Sequence, residues 1–354
     1  MDNRVKLGIA FSLLPQILLV KWLGQHPEWV ERYYAEGLYP HIAQLLRGLY
    51  GWVPFSMGDL FYTALGFGVL RYLYLYWRYF FKKPLTVLRD AGVVLAIAYF
   101  IFHLSWGLNY YRLPINEKMG FEIEYTKAEL VDFTMKLVRK TNGLQYQLTK
   151  DTAAAVKIPY TVKEIYEKTP TSFSSAAKVF PFFTYETTSL KSSLFSLPLT
   201  YMGYGGYLNP FTNEAQVNAL VPKQRLPSIS GHEVGHQLGY SSEDSTNFIG
   251  LLVTSANPDP YFQYAAQSHG LAYCLSDLRK WDEAAYREIL DMLHPGVREN
   301  YRELNRFWAG YENPTEPIFK AMFNAFLKAN SQERGIQSYN AVVGLLIGFD
   351  REYQ

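Results

Sequence analysis

The chain has 354 residues, of which 49% are apolar, 17% aromatic and only 19% charged, with a formal net charge of +2. Less charge and more aromatic content than an average soluble domain imply a membrane. No basic stripe and no glycine-rich phosphate loop appears, which speaks against nucleic acid as a partner. The single cysteine, Cys274, excludes an intramolecular disulfide and, within an apolar helical pattern, reads as a buried small residue.

Three runs near the N-terminus suit a bilayer, whose core takes about twenty apolar residues as helix. They cover residues 5–23, 58–80 and 91–108; the first contains Pro15 and Gln16, and the second contains Arg71 and Arg78, which snorkel or face neighbouring helices. The first run also fits an uncleaved signal anchor, and core helices of a soluble protein would read similarly. Arg4 and Lys6 precede the first run, and Arg78, Lys82, Lys83 and Arg89 flank the link between the second and third. By the positive-inside rule these ends lie in the cytoplasm. Residues 1–109 are therefore expected as a membrane domain in the bacterial cytoplasmic membrane, and residues 110–354 as one extracytoplasmic domain.

Beyond the membrane part the pattern is mainly helical. Thr126-x-x-Glu129 opens a helix to about Lys140, Val162 to Lys168 makes a shorter one, and residues 170–200 read as loops with one strand. Tyr201 to Asn218 looks like two short strands with a turn at Pro210 to Asn213. Such an edge can bind an extended peptide by strand addition, with Glu214 and Asn218 as cleft residues, or it can be an ordinary hairpin. From Pro260 onward helices dominate, broken at Pro295-Gly296 and Asn313-Pro314.

The richest stretch is His232-Glu233-Val234-Gly235-His236, an HExxH motif. Two histidines four apart share one face of a helix, so both imidazoles can bind one Zn²⁺ while the adjacent glutamate reaches a metal-bound water. Pro227 suits the first turn of that helix and Gly239 its left-handed end. Ser241 or Ser242 can cap a second helix, Ser241 with Asp244 as a capping box, which puts Glu243 in its first turn. A catalytic zinc takes three protein ligands. Glu243 is the expected third, with Asn247 one turn later as the residue that orients it, and Asp244 is the rival. The acidic pair would also favour a helix N-terminus without any metal. A metzincin would need its third ligand at position 242, which is Ser242.

Tyr207 to Asn218, Leu226-Pro227, the HExxH motif with Gln237 and Gly239, and Glu243-Asp244-x-x-Asn247-Phe248 together resemble a bacterial domain-of-unknown-function family of membrane proteins. Trp106 to Arg112, Leu327 to Asn330 and Ser338-Tyr339 add to the likeness. The resemblance implies three N-terminal spans followed by a zincin-like metallopeptidase domain, and an acidic third ligand. The expected fold is thus α+β and predominantly helical: transmembrane helices, then a domain with a small sheet and the HExxH helix.

On this reading His232, His236 and Glu243 hold zinc and Glu233 is the general base for hydrolysis of a peptide or protein substrate. Tyr204, Tyr207, His269 and Tyr339 are candidates for a further oxyanion donor, although His269 reads more readily as a helix-face histidine, and His26, His41, His103 and His294 as structural. The alternative is a catalytically silent sensor or assembly protein of the cell envelope on the same fold. Glu233 favours the enzyme, because a structural metal site has no need of a glutamate beside its first ligand.

Overall fold

Helices dominate the computed structural model, which describes residues 2–329 and 341–353. The chain divides into two compact units: Met1–Leu113 with Asn209–Glu214, and Pro114–Leu208 with Ala215–Gln354.

In the first unit two helices, Asn3–Leu23 and Pro84–Ser105, are long and apolar enough to cross a membrane, and their apolar windows are only 6% and 11% buried. Met57–Lys82 forms a continuous helix of 26 residues that exposes Phe67, Leu70 and Phe81. With Asp59, Arg71, Arg78 and Lys82 in it, this helix is not among those that meet the same apolar measure. The expected 91–108 run is shifted in the structure: its helix starts at Pro84, where proline fits the first turn, and stops at Ser105 before a 3₁₀ turn, Gly107–Tyr111. A buried ion pair closes this unit on itself, with Arg112 bonding Glu31 through Nε at 2.9 Å and Nη2 at 2.6 Å.

Residues Asn209–Glu214 pack in this first unit, which corrects the expectation of Glu214 as a cleft residue. Its carboxylate is fully buried and accepts from the N–H groups of Met57 at 3.2 Å and Gly58 at 2.5 Å, and from the Thr212 hydroxyl at 2.9 Å. The first N–H groups of a helix have no partner within the helix, so a carboxylate there satisfies donors and complements the dipole. Asn213 adopts the left-handed φ of 53°, donates to the Tyr39 hydroxyl and accepts from Arg47 Nη1 at 3.0 Å.

In the second unit Lys127–Thr149 starts at the expected capping box of Thr126 and Glu129 and runs about two turns beyond the expected end. Val162–Ala177 likewise outruns its expectation and passes through Pro170, so part of the stretch read as loops is helix. Three strands, β1 (Leu190–Ser192), β2 (Gly206–Asn209) and β3 (Glu214–Val217), form a sheet in the order β1-β3-β2, with β1 parallel to β3. The expected strand pair is β2 and β3, and β2 is an edge.

The core is built on the helix Pro260–Trp281, whose Tyr264, Leu271, Cys274 and Leu278 are buried against Lys127–Thr149 and Glu243–Ser255. Cys274 is inaccessible, and burial raises its thiol pKa. The helix Ala341–Tyr353 covers the other side of Glu243–Ser255, with Phe349 against Phe248 at 5.6 Å between ring centroids. Gly344 and Gly348 leave room there for the carbonyls of Ile123 and Glu122, which a Cβ would meet at 2.4 and 2.1 Å.

Candidate metal centre

The motif sits on the helix Leu226–Gln237, with Pro227 in its first turn. Gly239 follows at φ +85°, a conformation that costs glycine little and turns the chain back. The next helix, Glu243–Ser255, begins after five intervening residues, so Glu243 falls at its first position. Ser242 is its N-cap, but the Ser241–Asp244 capping box does not form: the Ser242 hydroxyl donates to Ser245 Oγ at 2.7 Å, and Asp244 accepts from the Ser245 N–H at 2.7 Å.

Glycines bring the two helices together. A Cβ on Gly250 would lie 2.7 Å from the Ser228 carbonyl oxygen and 2.8 Å from His232 N, and one on Gly231 would lie 3.1 Å from Gly250 Cα. Backbone therefore rests on backbone at the crossing, with Gly235 giving space to Thr246 and Ile249 one turn on. That approach brings the first turn of the second helix to the histidine face of the first.

Ligand atoms of His232, Glu233 and His236 lie within 4.8 Å of one another. Glu243 faces the two rings as well: its Oε2 is 3.5 Å from His232 Nε2 and its Oε1 3.8 Å from His236 Nε2. Bonds of about 2.0 Å at tetrahedral angles place ligand atoms roughly 3.3 Å apart, so these separations fit a shared zinc. They are too long for hydrogen bonds between the groups. Glu243 thus faces both rings, and Glu233 stands beside them with Oε2 buried and without a hydrogen-bond partner among the described residues.

The outer nitrogens fix the rings. His236 Nδ1 lies 2.8 Å from the Tyr240 carbonyl, which can only accept, so Nδ1 carries the proton and Nε2 keeps its lone pair. His232 Nδ1 lies 2.9 Å from Asn247 Oδ1 and is set the same way. Asn247, one turn along from Glu243, thus orients the first histidine rather than Glu243, which corrects the expected partner by one ligand.

Burial tunes the charges. It lowers the pKa of His232 far below its usual value, helped by neighbouring His236 and opposed by the Asn247 bond. It brings His236 down to about 4, against the Tyr240 bond. Neutral imidazoles are what a metal requires. Burial, then the nearby Glu243 charge, raises the Glu233 carboxyl well above the ordinary range.

Around this cluster the sequence left several residues unmarked. Gly206 on β2 backs directly onto Glu233: a Cβ there would lie 2.5 Å from Glu233 Oε1 and 2.5 Å from the Gln216 carbonyl. Gln237, fully buried, accepts from the Tyr185 hydroxyl at 2.7 Å and donates to the Ser189 carbonyl at 2.9 Å, which ties the motif helix to the chain entering β1. Of the expected oxyanion donors, Tyr204 lies within electrostatic reach of Glu243 and has its pKa pushed up to about 12, first by burial, then by Glu243 and Glu316. His269 lies within reach of His232. Tyr207 is on β2, and Tyr339 is outside the described residues. Asn218 donates to Thr200 and to the Tyr204 carbonyl, holding the segment before β2 rather than opening onto a cleft. His26 stacks on Trp29, and His294 bonds Gln145, both in structural surroundings.

The class that emerges is a predominantly helical protein with two helices apolar enough for a membrane and, on a glycine-packed helix pair, a buried His-Glu-His cluster faced by a second carboxylate. Residues 34–347 match the family described as protein of unknown function (DUF3810), and the chain belongs to that family. No curated protein and no solved structure matches the chain.

Proposed function

We propose that this protein is a membrane-anchored zinc metallopeptidase that hydrolyses peptide bonds in a peptide or protein substrate. The observation that carries the reading is the Glu243 carboxylate, which presents one oxygen to each motif Nε2 at 3.5 and 3.8 Å. Glu233 beside it has no role in holding the fold together through its buried Oε2. His232, His236 and Glu243 would hold the ion. Zinc, when bound, supplies a Lewis acid that polarises a carbonyl and lowers the pKa of water to about 7.

The chain's own groups do the rest. Glu233, whose raised pKa suits a group that accepts and returns a proton, takes the proton of the attacking water and passes it to the leaving amine as the C–N bond breaks. Edge strand β2, whose Gly206 touches Glu233, suits an extended substrate laid alongside by strand addition. Tyr204 and His269 are the candidates to donate to the developing oxyanion. The fold reading is zincin-like, with a carboxylate as third ligand.

In the membrane part, the helix Met57–Lys82 is proposed as a third span between the two more apolar ones, with Arg4, Lys6, Lys82, Lys83 and Arg89 on the cytoplasmic side of a bacterial cell membrane. The catalytic domain then lies outside the cytoplasm, and its digestion by protease added to intact spheroplasts checks this; full protection would reverse the orientation.

Metal analysis of the full-length protein purified in detergent, with peptide hydrolysis measured alongside, tests the function. Glu233→Gln is expected to keep zinc and lose hydrolysis. Zinc-free protein from zinc-supplemented cells, or a fully active Glu233→Gln variant, overturns the proposal. Glu243→Ala should lose the metal and Asp244→Ala should retain it.

A further inference from the structure

Next to this centre lies a buried cation with no counter-charge. Arg225, the residue before the motif helix, is only 8% exposed, and its Nη1 is wholly buried without a hydrogen-bond partner. Its guanidinium forms no hydrogen bond, ion pair or ring contact with any described residue. A buried guanidinium is ordinarily paired, because leaving an isolated charge out of water is costly. The titratable groups that face it are the hydroxyls of Tyr264, Tyr273 and Tyr301 and the ring of His269, and no carboxylate is among them.

Two of these neighbours connect the cation to the metal centre. His269 is within electrostatic reach of both Arg225 and His232, and Tyr273, stacked on His269 at 5.0 Å between centroids, is within reach of both Arg225 and Glu243. Tyr264 and Tyr301 already donate, to Asn300 Oδ1 and the Ser268 carbonyl, each at 2.7 Å. The Tyr273 hydroxyl donates to no described residue, and His269 Nδ1 is buried without a partner. The place therefore offers a forked cation and a spare hydroxyl beside the reacting centre, and lacks only an anion.

We infer that Arg225, together with Tyr273, binds the C-terminal carboxylate of the peptide substrate, so that the enzyme is a carboxypeptidase. The inference rests on the metallopeptidase reading for its reaction, though not for its ligand. A guanidinium matches a carboxylate with two parallel N–H···O bonds. Glu243 lies within reach of Tyr273, and its charge favours a singly charged carboxylate over a doubly charged phosphate. A neutral chain running on through the cleft, as in an endopeptidase, would leave Arg225 unpaired in every complex. The chain end supplies the missing charge at each turnover.

The test compares an acetylated tripeptide bearing a free C-terminal carboxylate with its C-terminal amide. Binding is measured by calorimetry on the EDTA-treated full-length protein in detergent, so that neither metal nor hydrolysis is needed. The acid is expected to bind about tenfold or more tighter than the amide, the effect of one charge-assisted hydrogen-bond pair. Arg225→Gln should remove this preference and Tyr273→Phe should weaken it. Equal binding of acid and amide by the unaltered protein overturns the inference, whether or not the Arg225 variant folds; so does a preference that survives in a folded Arg225→Gln. If the acid preference holds but zinc and hydrolysis are absent, the peptidase reading fails and the carboxylate site stands. Hydrolysis of internal bonds without acid preference gives the reverse.

Discussion

Replacing Gly206 by alanine adds one methyl group at the point where the edge strand meets the base. Its φ lies outside the left-handed region, so the cost is steric: the new Cβ would sit 2.5 Å from the Gln216 carbonyl oxygen and 2.5 Å from Glu233 Oε1, where real Cβ atoms essentially never come within 3.0 Å. Gln216 belongs to β3, the middle strand, and its carbonyl cannot retreat without spreading the sheet. Strand β2 or the Glu233 side chain must move by half an ångström or more. Overpacking of this kind costs about 1–3 kcal/mol, which lowers Tm by roughly 2–10 °C in a domain of this size. A misplacement of about 1 Å at a reacting group costs on the order of 100-fold in rate. Gly205→Ala is the internal control, because the nearest atoms its Cβ would meet belong to the Ile229 side chain, at 3.2 Å and beyond. Thermal unfolding and kcat/KM for peptide hydrolysis, measured on both variants, should separate them by at least tenfold in rate. Unchanged Tm and hydrolysis in Gly206→Ala, or equal losses in both variants, would refute the argument that this strand's backbone positions the base.

Two further outcomes follow from the same geometry. Asn247→Ala removes the acceptor of His232 Nδ1 and is expected to weaken zinc binding about 10–100-fold, read by chelator competition; unchanged affinity would mean that the histidine is oriented by packing alone. Glu214→Gln keeps the shape but removes the charge at the start of Met57–Lys82 and should cost roughly 0.5–2 kcal/mol in thermal unfolding. A variant as stable as the parent would show that the carboxylate's charge is not what holds that helix end.

Local signals were the ones legible from the sequence. The capping box at Thr126 and Glu129, the proline in the motif helix's first turn and the left-handed Gly239 each depend on residues within a few positions, and all are found. Glu243 was reachable by the same reasoning, since a short turn after Gly239 brings it back toward the histidines. What escaped depends on which surfaces meet. Asn247 serves His232 because the glycine crossing brings that stretch of the second helix against the first, and no spacing rule encodes a crossing. The Gly231, Gly235 and Gly250 contacts were invisible for the same reason, as glycine in a helix reads only as a weakness until a partner backbone is known. Glu214 looked like a cleft residue because it lies on a strand pair that could take an extended peptide, whereas its carboxylate meets N–H groups of a helix more than 150 positions away. The stretch from residue 170 lacked a clear period and read as loop, whereas the helix passes through Pro170 and continues to Ala177.

The glycine-packed helix pair also bears on how the site comes into being. From His232 to Glu243 the proposed ligands and base lie within 12 residues, on two helices joined by a short turn. Closing so small a loop costs little chain entropy, and contacts this local form early in folding compared with those that unite distant segments. The donors are thus brought together by chain proximity, and the helices packed around them, Pro260–Trp281 and Ala341–Tyr353, serve to hold an arrangement whose parts were neighbours from the start.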